Sequence, residues 1–386
     1  MSIKFRFRFR TFHYWATIFL ALALLPLFKS LYLPLRFDWM ALISVYWFVL
    51  AAQSVFVAIL FFLFAHDAGA ILSSFVERMR VQKLRVCMWL LFFVSLWYVS
   101  SLMKGAVLTV DVVAILELYE QSPSRERGRI AVSVLLPALY LFAGFLLVFA
   151  YNDAILSLRF YGLDDSLFNS MDKWLLHGSS VSDLSKIALQ HLPISFFYFL
   201  EFIYFAMFSQ LGAGIIFLGR FRGRRRGLQF VGTLLMAYYI ALAIFAIWPS
   251  QGPAYLSLAH FSEFPRTLKA FSIQQALLQK SQLLWTHQPA GKISTDYFIG
   301  FPCMHIAQPL ILIWFLRPWK KLVAVLAAYD ALLVVAIILL QWHYVVDILA
   351  GILLAALAVC LTDFKEFVRF VRRFRAVSHS EVAVPL

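Results

Sequence analysis

Apolar residues in this chain fall into long unbroken runs, not into the alternating pattern of strands. The runs cover residues 12–34, 40–65, 86–103, 130–151, 195–218, 228–248, 300–316, 322–341 and 344–362. An α-helix needs about 20 such residues to cross the hydrocarbon core of a bilayer. Strands of a membrane barrel would be about ten residues long and would alternate. The pattern therefore predicts an all-α, polytopic integral membrane bundle.

The stretches between the runs set the expected topology. "GRFRGRRRG" at 219–227, "RPWKK" at 317–321 and "KEFVRFVRRFR" at 365–375 are strongly basic, which predicts that they face the cytoplasm. The run 195–218 then ends inside and 228–248 goes out. Segment 250–299 lies outside, 300–316 comes in, 322–341 goes out, and 344–362 returns to a basic cytoplasmic tail. "KFRFRFR" at 4–10 and "ERMRVQKLR" at 77–85 place the front half the same way round. Two cytoplasmic termini need an even number of crossings. Segment 105–120, with Asp111, Glu117 and Glu120, is the added span, for about ten transmembrane helices. A re-entrant segment is the alternative for it. Segment 152–193 is polar with an apolar side and reads as an interfacial amphipathic helix. It divides an N-terminal bundle (1–155) from a second membrane domain (156–363), which a basic tail (364–386) follows.

Composition sharpens this picture. Hydrophobic residues make up 62% of the 386 and charged residues 14%, against roughly 25% charged in a soluble domain. The net charge of +14 sits largely in short loops, so it points to membrane orientation and anionic headgroups rather than to nucleic acid. Cys87, Cys303 and Cys360 lie far apart, with no finger-type metal spacing. "MSIKFRFRFR" precedes a long apolar run with no small-residue cleavage site, so it reads as the flank of a first helix and not as a signal peptide. Lys29, Asp67 and Asp111 read as interface positions.

Candidate chemistry gathers at one membrane level. "GFPCMHIAQP" at 300–309 stands where the chain enters from outside, and "QWHYVVDILAG" at 341–351 where it has just emerged and turns back. Topology alone brings His305, His343 and Asp347 to the extracytoplasmic interface. His343 and Asp347 are four residues apart, the spacing of neighbours on a helix face. A carboxylate on one imidazole nitrogen fixes the tautomer and leaves the other nitrogen free to act as base or nucleophile. A structural pair stapling two helices is the alternative. Pro302 suits a first helical turn, Gly300 a close approach, and the amides of residues 303 to 305 an anion at a helix end. Two histidines, a carboxylate and such a helix end point to phosphoryl transfer through a phosphohistidine. Cys303, His305, His343 and Asp347 also form a ligand set for a metal.

"FPCMHIA" followed by "HYVVDILAG" resembles the second and third signature motifs of the type 2 phosphatidic acid phosphatase superfamily. The match looks closer to the branch of inositol phosphorylceramide synthases. "WPSQGPAY" at 248–255 and "DDSLFNSMDKWLLHG" at 164–178 are similar to upstream segments of that branch, so the resemblance covers about 160 to 363. It implies a six-helix catalytic core with no metal and no cofactor. His343 would attack phosphorus, Asp347 would orient it, and His305 would protonate the leaving oxygen. Cys303 stands where the family has Ser, and a thiol is the weaker donor. Ala336 and Ile337 replace the Ser-Arg pair ahead of the third motif, and the Lys and Arg-Pro signature has no match. Lys292 or Arg266 in the outer segment would supply the missing charge. Gln251, Tyr255 and His287 are weaker candidates.

Three functions follow. The first is a phosphotransferase that moves a phosphoryl-headgroup from a lipid donor to a lipid, glycan or alcohol acceptor at the outer face of the plasma (inner) membrane. The second is a phosphohydrolase acting on lipid phosphate or polyprenyl diphosphate. The third is a proton-coupled transporter using the same His and Asp, for which the remaining runs are too free of charge.

Overall fold

The computed structural model describes residues 164–207, 209–256, 266–285 and 300–370, with helical stretches between 132 and 155. The expectations for 1–130, with the added span at 105–120 and Lys29, Asp67 and Asp111, lie outside the described residues, as do His287 and Lys292. The described part is helical, with no strand among those residues. Its helices are α1 (Asp165–Leu175), α2 (Val181–His191), α3 (Ile194–Ala206), α4 (Ser209–Ile247), α5 (Pro253–Leu256), α6 (Lys269–Trp285), α7 (Met304–Leu316), α8 (Lys320–Leu339) and α9 (Val345–Thr362).

Among the described residues, Gln210–Ile247, Lys320–Leu339 and Val345–Thr362 are long and apolar enough to cross a membrane; Ile194–Ala206 and Met304–Leu316 are apolar but shorter. α4, α7 and α9 pack on one another, and α8 lies against α3, α7 and α2. Phe197, Phe230, Phe245 and Phe315 are fully buried among leucines and alanines in the shared core.

Four expected segments fold differently in detail. The run 195–218 is split: α3 ends at Ala206 and α4 begins at Ser209. The basic stretch 219–227 is mostly helical, and the chain leaves helical geometry only at Gly223 (φ 75°, ψ 170°), a conformation open to glycine because it has no Cβ. Segment 250–299, expected to lie outside, carries helices α5 and α6 among its described residues. Its Ala270 amide donates to the buried Glu201 carboxylate of α3 at 2.6 Å. Gln274 on α6 donates to the carbonyl of Leu340 at 3.0 Å. Segment 152–193 contains two helices with a turn between them, and α2 starts in a capping box of Ser180 with Asp183. α1 turns Asp165, Phe168 and Asp172 inward and leaves Leu167, Met171 and Trp174 exposed. Two carboxylates and one phenyl ring, not the rest of its apolar side chains, face the protein.

α7 and α9 run the same way, and α8, which joins them in sequence, runs back beside α7, so the bundle has two distinct ends. One collects the start of α7, the finish of α8 and the start of α9. The other holds Arg226, Asp363 and Arg317. There Asp363 accepts from Arg226 at 3.0 Å, Gln229 at 3.1 Å and the Trp314 indole at 3.1 Å. Arg226 also lies over the Phe315 ring, 4.3 Å from its centre.

Candidate functional site

The finish of α8 decides where His343 goes. Gln341 adopts a left-handed conformation (φ 57°). Its amide donates to Ile338 at 3.0 Å, and the Trp342 amide reaches back to Ile337 at 2.9 Å. These are the two bonds of a Schellman ending, here on glutamine instead of the usual glycine. The chain then turns through Trp342 and His343 into α9, whose N-cap is Tyr344. His343 therefore precedes the helix. The expected helix-face pairing with Asp347 is in fact a capping arrangement: Asp347 Oδ2 accepts from the Tyr344 amide at 2.8 Å and lies 3.3 Å from His343 Nδ1.

The first amides of α9 have no partners within the helix. Asp172 of α1 supplies them, its two oxygens accepting from Val345 at 2.8 Å and Val346 at 3.0 Å. Asp165 does the same for the turn after α4, accepting from Ser250 Oγ at 2.8 Å, from Gly252 N at 2.9 Å and from Gln251 N at 3.2 Å. That turn is joined to the approach to α7 by the Gly300 amide on the Ser250 carbonyl, 2.7 Å. A Cβ on Gly300 would stand 2.6 Å from Ser250, so no larger residue fits there. Burial pushes Asp165 up to about 6 and raises Asp172 as well, against the lowering effect of these hydrogen bonds.

α7 begins at Met304 with Cys303 as its N-cap. Pro302 therefore lies before the helix and not in its first turn, and its peptide bond to Phe301 is cis. The Cys303 amide, expected to be open to an anion, donates to the Asp347 carbonyl at 3.0 Å. α9 lies so close here that a Cβ on Gly351 would stand 2.4 Å from the Cys303 carbonyl. This backbone contact holds the starts of α7 and α9 side by side.

The two histidines meet across that contact. His305 Nδ1 is 2.7 Å from His343 Nε2, and the Tyr204 hydroxyl of α3 is 2.9 Å from His305 Nε2. Tyr204 also stacks flat on Trp342, with ring centres 4.6 Å apart. With Asp347 ionised, His343 Nδ1 donates to it, because a carboxylate only accepts. His343 Nε2 then accepts from His305 Nδ1–H, and His305 Nε2 accepts from Tyr204. One directed chain runs from Tyr204 through both rings to Asp347. His343 and Asp347 are almost fully buried, while His305 is partly exposed.

The structure thus brings His305, His343, Asp347 and Cys303 together. The His343 nitrogen expected to be free is engaged by His305. Gln251 is buried in the adjoining turn, and Tyr255 is half-buried on α5. Arg266 is exposed ahead of α6, with no described contact to the histidines. Ala336 and Ile337 are fully buried in α8. Sequence reasoning missed Tyr204, which sits in the aromatic run "ISFFYFLEFIYFA" with nothing to mark it. It also missed the roles of Asp165 and Asp172, although both lie in the upstream segment already singled out.

No curated protein and no solved structure matches this chain. A family model described as PAP2 superfamily matches residues 172–361, just under half of the chain, from the carboxylate that caps α9 to the last turn of that helix.

Proposed function

We propose that this protein is a membrane-embedded phosphoryl-transfer enzyme that moves a phosphoryl-headgroup from a lipid phosphate donor to a lipid, glycan or alcohol acceptor. The observation that carries this reading is the chain of contacts Tyr204–His305–His343–Asp347, within the stretch that the PAP2 superfamily model matches. His343 Nε2 is the nucleophile and His305 the acid. Substrate phosphate enters between the rings and replaces the 2.7 Å contact. A bond forms from His343 Nε2 to phosphorus as the bond to the leaving oxygen breaks. His305 takes up a proton with the substrate, so that Nε2–H donates to the Tyr204 hydroxyl; it then gives that oxygen its Nδ1 proton and is left neutral. Neutral His305 then takes the proton of the acceptor hydroxyl, which attacks phosphorus and frees His343. Asp347 holds the charge that develops on His343 and fixes its tautomer.

No step needs a cofactor. Cys303 lines the site, Gln251 and Tyr255 flank it, and the segment carrying Arg266 and Lys292 supplies positive charge for the phosphate. The active site faces the extracytoplasmic side because the basic end, with Arg226 and Arg317, takes the cytoplasmic side. An alcohol is favoured over water as acceptor because His343 is almost fully buried and its Nε2 is covered by His305, which Tyr204 holds in turn. Hydrolysis, with water as acceptor, uses the same residues. Purified protein given headgroup-labelled phospholipid and an alcohol-bearing lipid separates the two. Label in a second lipid supports transfer, release of free phosphate or phospho-headgroup supports hydrolysis, and neither overturns both.

A further inference from the structure

Ligand atoms of Cys303, His305 and His343 lie within 4.8 Å of one another. A hydrolytic or transferase mechanism on histidine does not require this thiol. Both ring nitrogens that face the cluster, His305 Nδ1 and His343 Nε2, have their opposite nitrogens held by the protein: Tyr204 Oη at 2.9 Å and Asp347 Oδ2 at 3.3 Å. Metal-bound imidazoles are oriented in this way, with the outer nitrogen on a carboxylate or another oxygen. A thiolate with two imidazoles is a donor set for a borderline-soft divalent ion, leaving one tetrahedral position open. Tetrahedral ligands stand about 3.3–3.6 Å apart, so the 2.7 Å histidine contact opens slightly and the sulfur closes in.

We propose that Cys303, His305 and His343 form an inhibitory site for a zinc-type divalent cation. The ion occupies His343 Nε2, the atom that the proposed function uses as nucleophile, so the inhibition rests on that reading while the binding does not. Binding needs three local changes. Cys303 releases its thiol proton to solvent. His305 moves its ring proton from Nδ1 to Nε2 and donates to Tyr204, whose hydroxyl turns from donor to acceptor. His343 keeps Nδ1–H on Asp347. One proton is released per ion, so affinity rises with pH. The ion enters past His305, the partly exposed member of the three; Cys303 and His343 are buried. Where Ser would offer a poor ligand, Cys303 makes the site.

Full-length protein in detergent is titrated with Zn²⁺ against a chromophoric chelator, and with Co²⁺ as a spectroscopic probe. One ion per chain and a thiolate-to-cobalt charge-transfer band are expected. Cys303→Ser abolishes the band and weakens Zn²⁺ at least about 100-fold; Tyr204→Phe weakens it about 10-fold or more; Cys360→Ser changes neither. Turnover of lipid phosphate falls as the site fills and returns with chelator. Zn²⁺ affinity unchanged in Cys303→Ser, or wild-type cobalt binding without the band, overturns the site. Turnover indifferent to a filled site overturns the inhibition and, with it, His343 as nucleophile. Cys303-dependent binding in a protein without any turnover keeps the site and removes the functional reading.

Discussion

The two ends of the bundle hold their buried carboxylates by opposite means. At one end Asp363 meets a guanidinium, an indole and a side-chain amide, and Arg226 is in turn packed on Phe315. At the other, Asp165 and Asp172 meet backbone amides and a hydroxyl, and Asp347 meets one amide and a histidine. The first arrangement neutralises charge in place and serves as an anchor. The second leaves the carboxylates matched by dipoles, so among the described residues the nearest group able to take up a positive charge beside Asp347 is His343. On the proposed reading, reactivity and anchoring are separated along the axis of one bundle.

Substitutions at the two ends break this comparison in different observables. The largest effect is expected for His343→Ala, which brings turnover of lipid phosphate to background and leaves the folded protein in place; retained turnover would remove the nucleophile. His305→Ala slows turnover of alkyl-ester substrates by about 10²–10⁴-fold, the usual worth of a general acid. It slows substrates with a good leaving group much less, and equal slowing of both would show a structural role. At the other end, Asp363→Ala leaves Arg226, Gln229 and Trp314 without their shared acceptor. It costs about 3–5 kcal/mol of stability, read as a lower unfolding midpoint in detergent. Turnover per folded molecule stays near wild type; a matching loss of activity would mean that the two ends are coupled.

The smallest effect is one of pH. Asp165 is held at about 6 in the fold, above the roughly 3.9 of an unfolded chain. A raised carboxyl favours the folded state while protonated. That contribution is complete below about 4 and is lost as pH rises through about 6. Asp165→Asn cannot titrate, so wild type should lose stability relative to this variant between those pH values. Parallel curves would show that Asp165 is ionised throughout by its three donors.

The helices of the second half were legible because their apolar runs are long and their loops basic. The grouping of His305, His343 and Asp347 was legible because three consecutive runs fix which segments share a level. Local geometry was harder to read. His343 lies outside α9 because a Schellman turn on Gln341 ends α8 two residues earlier, and glutamine carries no signal for a left-handed residue. The cap on α9 comes from Asp172, 173 residues away, and the ring beside His305 from Tyr204, 101 residues away. Spacing along the chain cannot report such contacts. The expected anion site at the start of α7 was an inference from proline and glycine alone; tertiary packing gives the Cys303 amide to the Asp347 carbonyl instead.

The central claim is that His343 carries the phosphoryl group, and acid-free quenching of the enzyme during turnover of labelled lipid phosphate tests it most directly. The account predicts label on His343, lost in mild acid, kept in alkali and absent from His343→Ala. Rapid turnover with no such label on His343, or label on another residue, would contradict it.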